Sequence, residues 1–144
     1  MKKLTLLALV LLALFSCKQD KLIEDVLSRH ESGNKKEVRY YKTNKEGQNV
    51  CIRETWYYDE GMKHLDGPIV DGKRNGIFET YYKSGELMSK GTFVNGIREG
   101  EAFTYYENGK VKYHGSYKNG KECGIWNFYE ENGEFDKAIN RDLK

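Results

Sequence analysis

Three apolar patterns follow one another along the chain. Leu4 to Phe15 is a continuous apolar run broken only by Thr5, with Met1-Lys2-Lys3 before it and Ser16-Cys17 after it. Leu22, Ile23, Val26 and Leu27 have helical spacing, which predicts a short helix at about residues 20–30. From about residue 33 onward, apolar residues come in short clusters separated by polar, glycine-bearing breaks. These clusters recur every 24 residues. GPIVDGKRNGIFETYYKSG (67–85), GTFVNGIREGEAFTYYENG (91–109) and GSYKNGKECGIWNFYEENG (115–133) are one phrase written three times, the mark of a repeat array.

Set in rows of 24, 13 of the 15 glycines fall into four columns: Gly67, Gly91, Gly115; Gly72, Gly96, Gly120; Gly76, Gly100, Gly124; and Gly61, Gly85, Gly109, Gly133. Ser84-Gly85, Asn108-Gly109 and Asn132-Gly133 read as turns. Asp71-Gly72, Asn95-Gly96 and Asn119-Gly120 read as a second set of the same kind, suited to two-residue hairpin turns with positive φ. Between the turns lie stretches rich in Tyr, Phe, Thr, Ile and Val, which favour strands. The columns at 67 and 76 fall in or beside strands, where a missing side chain marks a bulge or a close approach.

Aromatic columns run through the same frame. Tyr57, Tyr81, Tyr105 and Tyr129 form one, expected to hold the sheet together. Tyr58, Tyr82 and Tyr106 form another, ended by Glu130. Neighbouring strand residues face opposite ways, so this second column is expected on the other face, as the candidate partner-binding surface. Ile69, Phe93 and Tyr117 share a column; Phe78 and Trp126 share another, with Ala102 between them. The fold expected is all-β: an elongated single antiparallel sheet of consecutive hairpins, stabilised by stacked like side chains rather than by a deep core. Glu54 to Tyr58 keeps the register, whereas residues 33 to 50 do not keep the 24-residue step and read as an irregular terminal unit.

The first run has the layout of an export signal. It is too short to cross a bilayer as a helix, which takes about 20 residues. Leu14-Phe15-Ser16-Cys17 resembles a bacterial lipobox, which implies cleavage before Cys17 and lipidation of that cysteine. The chain then divides into a signal peptide (1–16), a lipid-anchored tether with the short helix (17–32), a repeat array (33–135) and a tail (136–144). Lys18 directly behind the cysteine lacks the Asp of inner-membrane retention, so the expected address is extracytoplasmic, on the outer membrane. Without Lys2 and Lys3 the 24 basic residues fall to 22, matching the 22 acids. A balanced surface has no general pull on nucleic acid.

Chemistry is sparse. Cys51 and Cys123 stand three periods apart; six strand steps at roughly 4.8 Å separate them by about 29 Å, too far for a disulfide. His30, His64 and His114 have no metal-ligand spacing, so no metal or cofactor is expected. No nucleophile, base and orienting group can be assembled, and enzymatic activity is not expected.

Gly76-Ile77-Phe78 with Tyr81 and Gly85, Gly100-Glu101-Ala102 with Tyr105 and Gly109, and Gly124-Ile125-Trp126 with Tyr129 and Gly133 resemble the MORN repeat in its bacterial variant. Proteins of this arrangement are commonly grouped with YwqK-family toxin–antitoxin antitoxins. The resemblance implies consecutive antiparallel hairpins in one long, curved sheet. Some members are linked with anionic lipids, but the balanced charge and the lack of a basic stripe argue against carrying that over. The expected function is a lipid-anchored, non-enzymatic protein-binding or scaffold module of the bacterial envelope, antitoxin-like, with another envelope protein as partner. The alternative is an envelope-glycan or small-ligand binder using the exposed aromatic columns.

Overall fold

The computed structural model describes residues 22–142. Eleven strands run in chain order: β1 (Ile23–Arg29), β2 (Lys35–Thr43), β3 (Asn49–Tyr57), β4 (Lys63–Val70), β5 (Lys73–Arg74), β6 (Gly76–Tyr81), β7 (Leu87–Val94), β8 (Ile97–Tyr105), β9 (Val111–Lys118), β10 (Lys121–Tyr129) and β11 (Phe135–Asn140). All pairings are antiparallel between neighbours, in the order β1-β2-β3-β4-β6-β7-β8-β9-β10-β11, with β5 on β4. Consecutive hairpins therefore make one sheet, as the turn spacing predicts. There is no helix among the described residues.

The two turn series differ in kind. Asp71-Gly72, Asn95-Gly96 and Asn119-Gly120 are two-residue hairpin turns: both members have positive φ (48° and 74°, 51° and 87°, 50° and 78°). At Gly85, Gly109 and Gly133 only the glycine has positive φ. There the loops are longer than expected. Tyr82 N donates to Glu86 O and Gly85 N to Tyr82 O, and the same pattern recurs from Tyr106 and from Glu130. This is the three-residue loop, a tight turn closed by a glycine bulge. Asn108 and Asn132 serve it through the side chain, their Oδ1 accepting from Lys110 N (3.0 Å) and Glu134 N (2.8 Å). Tyr58, Tyr82 and Tyr106 consequently stand in the loops, just past the ends of β3, β6 and β8, and not in the strands.

The expected helix at residues 20–30 is replaced by strand β1. An isolated helix of that length is marginal in water. The edge of β2 instead offers a full ladder, in which Val26 pairs with Val38, a fully buried residue. The ladder skips Leu27: Val26 faces Val38 and Ser28 faces Glu37. That bulge breaks strict alternation and leaves the apolar residues at a spacing that mimics a helix. At the far end, residues 135–140 form β11.

Among the described residues there is no second layer, and burial occurs within each face. Phe78, Gly91, Ala102 and Gly115 are cross-strand neighbours in one row over β6, β7, β8 and β9. The Phe78 ring lies flat against Gly67: a Cβ placed there would fall 2.5 Å from the ring. Trp126 covers Gly115 in the same way. Phe78 and Trp126 are 4% and 2% exposed, against a protein whose other large residues are mostly half-buried. Each such burial contributes about 1.5–3 kcal/mol. Gly91 occupies the equivalent position but faces Ala102, and a Cβ there would lie an ordinary 3.6 Å from the Ala102 Cβ. Gly67, Gly91 and Gly115 all lack positive φ, so their role is close approach and not backbone conformation. Gly76, Gly100 and Gly124 do have positive φ (116°, 76° and 65°) and sit at or beside the breaks in strand register.

These contacts sort three glycines of one column. Gly67→Ala and Gly115→Ala force a methyl into an aromatic ring and should each destabilise by about 1–3 kcal/mol. Gly91→Ala should change stability by less than about 0.5 kcal/mol. Urea unfolding of the three variants measures the difference.

Candidate functional site

The loop tyrosines hold one repeat to the next. Tyr58 Oη donates to Tyr81 O (2.9 Å), Tyr82 Oη to Tyr105 O (2.7 Å) and Tyr106 Oη to Tyr129 O (2.8 Å). His30 occupies the matching place in the first loop, and its Nε2 donates to Tyr57 O (2.9 Å). Sequence spacing hides this equivalence, because 28 residues and not 24 separate His30 from Tyr58. Glu130 ends the series after β10, where only β11 follows. On the opposite edge, Gly96 N donates to Arg74 O (2.8 Å) and Gly120 N to Arg98 O (2.9 Å). Each repeat is thus stapled at both ends. The hydroxyls of Tyr58, Tyr82 and Tyr106 have internal partners, and their rings are half-buried.

The strand tyrosines share one face, with a different partner in each repeat. Tyr57 Oη bonds Tyr40 Oη (2.9 Å), Tyr81 Oη donates to Glu79 Oε2 (2.8 Å), Tyr105 stacks on Phe103 and Tyr129 on His114. Burial, then the bond to Glu79, pushes the Tyr81 phenol up to about 12. Burial, then the bond to Tyr40, pushes that of Tyr57 up as well. Asp66, on the same face, is buried and accepts from Thr55 Oγ1 (2.7 Å), Arg53 (3.0 Å) and Lys63 (3.3 Å). Satisfied on all sides, it is a structural carboxylate.

The other face carries the candidate site. Here Arg74 and Arg98 alternate with the aromatic column. The Arg74 guanidinium stands 4.9 Å from the Phe78 centroid and 5.8 Å from Phe93; that of Arg98 stands 5.5 Å from Phe93 and 5.1 Å from Tyr117. Trp126 closes the row edge-on to Tyr117, with centroids 5.3 Å apart. The two arginines differ in charge balance. Arg74 donates to Glu54 (2.7 Å), which stands 24 residues before Phe78 in the same column. For Arg98, one repeat later, the position equivalent to Glu54 is Phe78; its guanidinium stands over Phe93 and Tyr117, and no carboxylate pairs with it among the described residues. Ala102 leaves the middle of this row low. The result is a depression of about 130 Å³ walled by Phe78, Phe93, Tyr113, Tyr117 and Trp126, floored by Gly91 and Ala102, with Arg98 among its lining residues. The buried indole N–H of Trp126 has no hydrogen-bond partner.

Cys51 lies on β3 and Cys123 on β10, six strand steps apart, and both thiols are free. No cluster of three or more His, Cys, Asp or Glu suited to a metal ion is present among the described residues. The lipobox and Cys17 lie outside the described residues. Sequence reasoning placed Ala102 in its column but missed the arginines. The signal for them was the column Arg74, Arg98, Glu122, in which charge changes sign without a matching change opposite.

Residues 74–95 and 98–119 match the MORN repeat variant. The centre of the array is built of MORN repeats. The matched stretches run from the strand holding Arg74 through the loop before β10, so most of the depression falls on MORN positions, with Trp126 beyond them. No curated protein matches the chain. Among solved structures, the crystal structure of TarM is similar over 83% of this chain at 16% identity, with a TM-score of 0.35. The chain spans 19% of that protein's length, and a likeness at this level carries no argument.

Two outcomes test the site's framework. Tyr82→Phe and Tyr106→Phe each remove one staple and should cost about 0.5–1.5 kcal/mol in urea unfolding. Tyr81 is favoured neutral in the fold, whereas unfolded phenols ionise near about 10. Its stabilising contribution is therefore intact below pH 10 and falls as pH rises toward 12. Unfolding midpoints measured across that window should decline, and Tyr81→Phe should flatten the decline.

Proposed function

We propose that this protein is a non-enzymatic binding or scaffold module, anchored through lipidated Cys17 to the outer membrane of a bacterial envelope, with another envelope protein as partner. MORN repeats support a repeat-based binding module. The observation that carries the choice of surface is the Phe93–Arg98–Tyr117 stack beside the Gly91–Ala102 floor: an exposed cation with no carboxylate paired to it among the described residues, next to aromatic walls, suits a protein partner. The loop tyrosines Tyr58, Tyr82 and Tyr106 are a poorer surface, since their hydroxyls are bound to internal carbonyls. The antitoxin-like form of the reading makes the partner a toxin. The anchor rests on the apolar run 4–15 and Leu14-Phe15-Ser16-Cys17, and two or three acyl chains on one cysteine suffice for stable attachment.

Photo-cross-linking in intact cells tests the reading. A photoreactive amino acid at Tyr117, beside the depression, should give a discrete protein adduct, and one at Glu101, exposed on the opposite face, should not. Adducts of equal yield from both positions, or none from either, would overturn the protein-binding surface. Cys17→Ser should move the protein from the membrane fraction to the soluble one; unchanged fractionation would remove the anchor from the account.

A further inference from the structure

The repeat follows a rule: an aromatic residue in the column of Phe78 and Trp126 lies flat on the glycine of the preceding strand. Phe78 lies on Gly67, and Trp126 lies on Gly115. At the middle position the glycine is kept but the ring is not: Gly91 faces Ala102. Nothing in the backbone demands a glycine at 91, since its φ is not positive and a methyl there has room. From this we infer that the Gly91–Ala102 floor is a binding site for an aromatic ring supplied from outside the chain, and that the ring belongs to an aromatic carboxylate.

Size supports the ring. The depression is about 130 Å³, with Thr80, Ser89 and Thr104 lining it beside the rings; its volume is close to the roughly 150 Å³ of a cavity that takes benzene. Its walls are rings at both ends, Phe78 and Trp126, so an incoming phenyl group enters an aromatic row at the place of its missing member. Chemistry supports the carboxylate. Arg98 is exposed, sandwiched between Phe93 and Tyr117, and no carboxylate pairs with it among the described residues. A guanidinium held planar between two rings is set for a bidentate bond to a carboxylate. A free aromatic acid and the last residue of a chain ending in Phe present the same chemistry. The site deepens the binding-module reading by naming what the surface recognises.

The test uses the purified protein and three probes: N-acetyl-phenylalanine, its amide, and a short peptide ending in Phe with a free carboxylate. Nitrogen–proton NMR spectra follow the Trp126 indole N–H and the Ala102 and Gly91 amides. At least one of the two carboxylate probes should shift all three signals saturably, with a dissociation constant on the order of a millimolar or tighter. The tighter of the two identifies the source. The amide should bind at least about tenfold more weakly, and Arg98→Met should erase that preference. Ala102→Phe restores the row's own ring and should abolish the shifts. Gly91→Ala, which the free fold accommodates, should weaken binding at least about tenfold even if the phenylalanine variant does not fold. No saturable shift with either carboxylate probe, equal binding of acid and amide, or undiminished binding by the folded variants would each overturn the site. Because partner cross-linking is a separate experiment in cells, failure of this site leaves its outcome readable.

Discussion

With no covering layer among the described residues, the sheet has to find its burial inside its own faces, and the contact that achieves this is an aromatic ring lying on a glycine. Gly67 and Gly115 sit in mid-strand, where glycine is ordinarily unfavourable. They are there because Phe78 and Trp126 occupy the space a side chain would need. The rings become the most buried large side chains of their face while the neighbouring aromatic column, Phe93 and Tyr117, meets them edge-on. Tyrosine hydroxyls at one end of each repeat and turn amides at the other then fix the spacing that keeps ring over glycine. Ring burial and repeat pitch support each other, which is how a quasi-one-dimensional array gains stability.

The site arises where the repeat departs from its own rule. Reading the column Glu54, Phe78, Ala102, Trp126 against the column Arg74, Arg98, Glu122 shows two mismatches in one place. Arg74 has Glu54, but Arg98 has only rings; Phe78 and Trp126 have their glycines covered, but Gly91 has only a methyl opposite. Elsewhere charge is balanced locally: Asp66 is satisfied by three donors, and Glu122 pairs with Arg141 at 2.9 Å. A cation without an acid beside a floor that lacks its ring therefore occurs where the two MORN stretches meet, with Gly91 in the first and Arg98 and Ala102 in the second. It is a departure from the scaffold's needs, and such departures are where function is carried on a repeat frame.

Much of this was legible before any coordinates. The 24-residue step, the paired turn dipeptides and the strand-favouring stretches dictate hairpin after hairpin, and the structure follows them. What was hidden had local physical causes. The bulge at Leu27 scrambles alternation in β1, so Leu22, Ile23, Val26 and Leu27 imitate a helix. Asn-Gly serves two different loops: in one the asparagine supplies positive φ, in the other it supplies a side-chain acceptor, and the dipeptide alone does not separate them. The loop tyrosines read as strand residues, because a column of identical residues says nothing about where a strand ends or where a hydroxyl points. His30 was unreadable as their first member, since an irregular terminal unit shifts it by four residues. The missing ring was half-visible as an alanine among aromatics; its meaning needed the ring-over-glycine geometry.

Ring currents test that geometry most directly. A proton held against the face of an aromatic ring resonates upfield of its usual position. In a proton NMR spectrum of the folded protein, the α-protons of Gly67 and Gly115 should be displaced well upfield, and those of Gly91 should stay at ordinary glycine values. Equal shifts at all three glycines, or none at Gly67 and Gly115, would contradict the account.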